Sequence, residues 1–171
     1  MTTFTALAPA PRWSRFAAHA VTFVVLPSSL WRIGVALGAN LGYTDEGRAA
    51  LVGDTVWGPA YMIALSVLAE VAALLTLALV RSRPVEVPRW SPVLRGRPLP
   101  RRFVLAVAWT GVALTAVIWT PFVVWWTLPH DDMTTTGALL VGFLYLPLVA
   151  WAPLLAAVTS SYQRRTARGT R

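Results

Sequence analysis

The sequence predicts an all-α, polytopic membrane protein: one bundle of four transmembrane helices with both termini on the cytoplasmic side. Three observations carry that expectation. Of the 171 residues, 56% are hydrophobic and only 13% charged, where a water-soluble domain carries about 25% charged residues; the mean hydropathy is +0.58. Four apolar runs, roughly 16–41, 57–80, 103–128 and 137–160, each exceed the ~20 residues a helix needs to cross ~30 Å of hydrocarbon. Finally, the arginines gather in alternate connections between those runs.

The first run follows Arg12 and Arg15. A secretory signal has an apolar region of ~7–15 residues, and this run continues past Arg32, so it reads as a span. The connection to the second run holds Asp45, Glu46 and Asp54, with Arg48 its only arginine. Between the second and third runs lies a basic loop, 81–102, "RSRPVEVPRWSPVLRGRPLPRR", with seven arginines and five prolines. Proline density and weak periodicity predict an irregular course, and its charge predicts attraction to anionic lipid. The connection to the fourth run carries Asp131 and Asp132, and Arg164, Arg165, Arg168 and Arg171 follow that run. Arginines flanking spans are retained in the cytoplasm. The N-terminus, the basic loop and the C-terminus are therefore expected inside, with flexible tails at 1–11 and 162–171. The whole chain forms one domain, a multi-pass protein of the cell membrane.

Several chemistries are excluded or disfavoured. The absence of cysteine removes disulfides, thiolate metal sites and thiol redox chemistry. A formal charge of +8 invites a nucleic-acid reading, but the chain lacks RNP-like and helix-turn-helix patterns, so no nucleic-acid partner is expected. No Walker loop, HExxH, GxSxG or Rossmann fingerprint is present, and no cofactor is expected. His130, Asp131 and Asp132 are adjacent and cannot easily converge on one ion, so no metal site is expected. Asp131 or Asp132, followed by threonines, reads instead as the N-cap of the fourth helix.

The stretches "VEVPRWSPVLRGRPLPRR" and "LPHDDMTTTGALLVGFLYLPLVAW", joined in this order with four spans, resemble small four-helix integral membrane proteins of actinobacteria. The resemblance covers the whole chain. It implies the four-span fold and carries no activity with it.

The functional argument therefore rests on the ionisable residues inside the spans. Arg32 and Glu70 lie roughly 22 Å and 16 Å from the cytoplasmic edges of the first two helices, at ~1.5 Å per residue. An isolated charge near the bilayer centre costs at least ~2.5–3.5 kcal/mol, so the two are expected to pair, either as a closed ion pair that sets helix register or as the lining of a water-accessible cavity that holds a polar ligand group or passes protons. Ser28 and Ser29 precede Arg32 by four and three residues, and Ser66 precedes Glu70 by four, which gives each charge a hydroxyl neighbour on its own helix. Trp31, Trp119 and Tyr145 map to the middle or the outer half of the membrane, where Arg32 also falls, and aromatics with a few convergent polar groups make an orienting pocket. Pro27, Pro121, Pro147 and Pro153 can kink their helices. Gly34, Gly38, Gly111 and Gly142 are expected to allow close helix contact.

Three functions stay open at this level. The leading one binds or moves a small amphiphilic or anionic ligand at Arg32 and Glu70. The second is a membrane-embedded, non-redox enzyme of the isoprenoid cyclase or isomerase type, with Glu70 or an outer aspartate as acid. The third is an accessory subunit, in a homo- or hetero-oligomer, with no site of its own. A void shared by the acid and the aromatics would mark an enzyme, paths to both sides a carrier, and an apolar outer groove a subunit.

Overall fold

The computed structural model describes residues 8–82, 85–86 and 98–168. Most of the basic loop and the ends of both tails, with the conformations expected for them, lie outside the described residues. The regular elements are helices: α1 (Arg12–Ala36), α2 (Asp45–Val52), α3 (Trp57–Ala78), α4 (Arg101–Trp119), α5 (Thr135–Tyr145) and α6 (Trp151–Arg168). Two 3-10 stretches, Thr120–Thr127 after α4 and Leu146–Ala150 between α5 and α6, complete the third and fourth long segments. Four segments are long and apolar enough to cross a membrane: Arg12–Ala36, Trp57–Ala78, Arg101–Thr127 and Thr135–Ala167.

Local chemistry sets the boundaries. α1 stops short of the expected Leu41 because the chain turns at Leu37 and Gly38, and Gly38 has φ +101°, a conformation that costs glycine little. Gly38 has open space where a Cβ would go, so it serves this turn and not the close helix contact expected from its spacing. Gly34 instead accepts the side chain of Leu41, while Gly142 lies under the rings of Trp125 and Trp126. Pro121 and Pro147 sit at the starts of the two 3-10 stretches; each lacks an N–H and crowds the preceding turn, which ends the α-helical bonding there. Pro153 falls in the first turn of α6, where proline is tolerated.

Two features escape the hydropathy pattern. The short α2 is capped by Thr44, whose Oγ1 accepts from the Gly47 N–H at 3.0 Å. At the other end, the pattern predicts a flexible tail from residue 162, but α6 continues through Arg168. Arg165 explains the difference. Its buried guanidinium donates to the carbonyls of Leu79, Arg81 and Ala8, closing the end of α3 with a cation where the helix dipole is negative.

α1 is the central helix. It packs along α3 on one side and α6 on the other, and α4 packs along α6. Val21, Val25, Val35, Leu148 and Val158 are fully enclosed between these helices. α4 buries only Val104 and exposes Phe103, Val107, Leu114, Val117 and Ile118. No comparable packing joins α3 to α4.

The two helical hairpins are tied at one end by a cap of matching parts. Thr134 caps α5 as Thr44 caps α2, its Oγ1 accepting from the Gly137 N–H at 3.0 Å; the cap is thus Thr134 and not the expected Asp131 or Asp132, whose side chains precede the helix by a further two or three residues. The two turns exchange main-chain bonds, Thr44 N–H to Asp132 O at 3.1 Å and Thr134 N–H to Gly42 O at 2.9 Å. Both threonine hydroxyls donate across the same junction, to Asp132 O and Gly42 O. This is the cap end of the bundle. The opposite, arginine end carries the start of α1, the end of α3, the start of α4 and the end of α6.

Candidate functional site

Arg32 lies four residues before the end of α1, and its side chain runs back along the helix, as the Cα–Cβ direction in a helix dictates. It is 8% exposed. Nε donates to Ser66 Oγ on α3 at 3.1 Å, Nη2 to Ser29 Oγ one turn back at 3.4 Å, and Nη1 to the Tyr145 hydroxyl on α5 at 3.4 Å. Its guanidinium carbon stands 5.7 Å from the centre of the Tyr145 ring. The Ser66 hydroxyl donates to the Met62 carbonyl at 2.9 Å, which leaves its oxygen free to accept from Arg32. One arginine thus joins three helices through neutral hydroxyls.

The expected Arg32–Glu70 ion pair is not formed. Glu70 stands one turn beyond Ser66 on α3, at the margin of the face turned to α1, and its Oε1 is buried with no hydrogen-bond partner among the described residues. The register places Ser66, rather than Glu70, opposite Arg32. Ser28 is fully buried but turns its hydroxyl to the Val25 carbonyl at 2.9 Å, so it is spent on its own helix and does not meet the guanidinium.

The aromatic residues do converge. Trp31 meets Tyr145 edge-on at 5.6 Å and Tyr43 at 5.5 Å, and Trp119 lies 5.8 Å from Tyr145. The Trp31 indole N–H donates to the Leu41 carbonyl at 3.0 Å, fastening α1 to the cap. Sequence reasoning missed Tyr43 and Phe122, and it weighed His130 only as a metal or acid-base candidate, not as part of this row. Phe122 stacks on Tyr145 and Trp125, each at 5.1 Å, and His130 stacks on Trp125 at 3.9 Å. The row runs from the cap down to the guanidinium. Burial, then the Asp132 carboxylate, then Tyr145 raise the Tyr43 phenol above its ordinary pKa, keeping it protonated under the cap.

Cavities mark the surface among the described residues, including a shallow one along Ala60–Val71 of α3, one at the cap end beside Trp125, Trp126 and His130, and one between α3 and α4. Arg32 and Glu70 line none of them. At 8% exposure the Arg32 side chain is enclosed by its partners.

Fold and site together define a class: an all-helical bundle with four segments able to cross a membrane, built around a buried arginine that is solvated by hydroxyls and roofed by aromatics. No family model, curated protein or solved structure matches the chain.

Proposed function

We propose that the protein is a multi-pass protein of the cell membrane, with its arginine end in the cytoplasm, that binds an anionic amphiphile at Arg32. Four long apolar helices and the exposed apolar face of α4 support the membrane setting, since a soluble monomer rarely leaves so large a contiguous apolar surface uncovered. The arginine asymmetry supports the orientation. Reporter fusions at the N-terminus, near Gly96 and after Arg171 are expected to read cytoplasmic, and fusions near Gly47 or Met133 external. A cytoplasmic reading at Gly47 would overturn the topology.

One observation carries the binding function: a buried guanidinium whose bonded partners are all neutral. Desolvating a cation without an anion is costly, and a ligand carboxylate or phosphate supplies the missing charge while its apolar part lies against the aromatic row. Access requires the cap to part. The test compares melting of the purified full chain in detergent with sodium decanoate and with decanol, its neutral counterpart. Ligand binding to the folded state raises the melting temperature by mass action. Decanoate is expected to raise it for the natural protein and for Arg32→Lys, but not for Arg32→Gln, and decanol is expected to leave all three unchanged. An equal rise with decanoate in Arg32→Gln overturns this reading.

The enzyme alternative keeps one supporting observation, the unpartnered buried oxygen of Glu70, and the subunit alternative another, the apolar groove between α3 and α4.

A further inference from the structure

The bundle is closed on one side and open on the other. Where α1 and α6 meet, the space is filled by their own side chains. Between α3 and α4 a cavity of about 280 Å³ remains. Its floor is made by residues of three helices, among them Thr76, Leu79, Val104, Trp151 and Leu155, each no more than 8% exposed. Its rims, Leu75 on α3 and Phe103 and Val107 on α4, are more than half exposed and face outward. All of this lies in the arginine-end halves of the two helices. At that end the cavity is closed by Val85 and Leu99, joined by a Leu99 N–H to Val85 O bond of 2.8 Å.

The chemistry of the groove selects its occupant. The two threonines in it spend their hydroxyls on their own helices, Thr76 on the Ala72 carbonyl at 3.4 Å and Thr115 on the Gly111 carbonyl at 2.8 Å. Among the lining side chains only the Trp151 indole N–H is left without a partner among the described residues, so the slot offers one buried donor on an otherwise apolar wall. The arginine end just beyond Val85 and Leu99 is different. Exposed Arg81 lies two residues past the lining Leu79 and exposed Arg102 one residue before the lining Phe103, and of the seven acidic residues in the sequence only Glu86 lies in the connection at this end. An apolar slot inside the span with cations at its cytoplasmic edge matches an anionic lipid in both parts.

We propose that this groove holds an acyl chain of an anionic phospholipid from the cytoplasmic leaflet, with the lipid's phosphate between Arg81 and Arg102. The chain alone gains little by leaving other lipid tails, because lipid is as apolar as the groove. Selectivity therefore comes from the headgroup, and fit comes from the slot. The site is separate from Arg32, which lines no part of it.

Native mass spectrometry of the full chain, released from detergent with phosphatidylglycerol or with phosphatidylcholine of the same acyl chains, tests both parts. The natural protein is expected to retain phosphatidylglycerol in preference. Arg81→Gln together with Arg102→Gln is expected to cut that preference by about tenfold or more, as two arginines near an anionic surface imply. Ala108→Phe, which fills the slot, is expected to remove retention of both lipids. Val107→Trp covers the slot from the exposed rim and serves if the first filling variant does not fold. Equal retention of the two lipids by the natural protein overturns the proposal, as does undiminished retention in the filled variants. A filled variant that instead changes the oligomeric state, with lipid retention intact, assigns the groove to a second copy of the chain and also overturns it. A fall in the phosphatidylglycerol preference with Arg32→Gln but not with the Arg81 and Arg102 pair places the lipid at Arg32 and overturns the proposal, so failure at Arg32 and failure here are distinguishable.

Discussion

Replacing Gly137 with alanine is expected to cost about 3 kcal/mol of stability, at the upper end of what overpacking a tight site costs. A Cβ at Gly137 would fall on the backbone of Gly42, and one at Gly42 would fall on the backbone of Gly137. Backbone cannot swing aside as a side chain can. The two turns would have to separate, and the exchanged bonds of Thr44 and Thr134 would go with them. Gly38→Ala is the control, since Gly38 has a positive φ but open space around it, and left-handed strain alone costs ~1–2 kcal/mol. Unfolding of both variants in mixed micelles, followed by helical circular dichroism, gives the comparison. If Gly137→Ala costs no more than Gly38→Ala, the cap is not the close junction described here.

Arg32→Met is expected to raise stability, by about 1 kcal/mol. A cation at the centre of a span costs ~2.5–3.5 kcal/mol on insertion scales, and Arg32, though one turn from the end of α1, is only 8% exposed; polar contacts between spans return ~0.6 kcal/mol each on average. Arg32 has two such contacts, to Ser66 at 3.1 Å and Tyr145 at 3.4 Å, and a third within α1 to Ser29 at 3.4 Å. Methionine is long, apolar and adaptable, and Ser66 keeps its bond to the Met62 carbonyl. A residue that lowers stability at its own site is retained for another reason, which is the stability–activity trade-off applied to this arginine. Loss of stability in Arg32→Met would instead make Arg32 a fastener of helix register. The same unfolding measurement decides, and the decanoate response of the variant shows whether binding is lost as stability is gained.

Much of the architecture is legible in the residues. Length and hydropathy mark four segments, and prolines 121 and 147 mark where two of them change helix type. The repeated Thr-x-x-Gly of 44–47 and 134–137 is also present in the sequence, as a signal for the two matching caps. Hydropathy hides it, because a turn repeat contributes nothing to an apolar run. The continuation of α6 through Arg168 is hidden for a related reason: a basic tail reads as solvated until α3 ends beside it.

The site divides along the same line. By itself the sequence determined that Arg32 is buried in an apolar helix, that hydroxyls flank it, and that Trp31, Trp119 and Tyr145 share its level. Those follow from one-dimensional spacing, because helix rise converts residue number into depth. Only the tertiary structure decided that Ser66 and not Glu70 receives the guanidinium, that Ser28 turns away, and that Tyr43 and His130 join the aromatic row from the cap. It also decided that α3 and α4 stand apart. Rotation of each helix about its axis and the pairing of distant turns depend on packing among helices far apart in the chain, and a difference of one turn, about 5.4 Å, is enough to replace an ion pair by a hydroxyl.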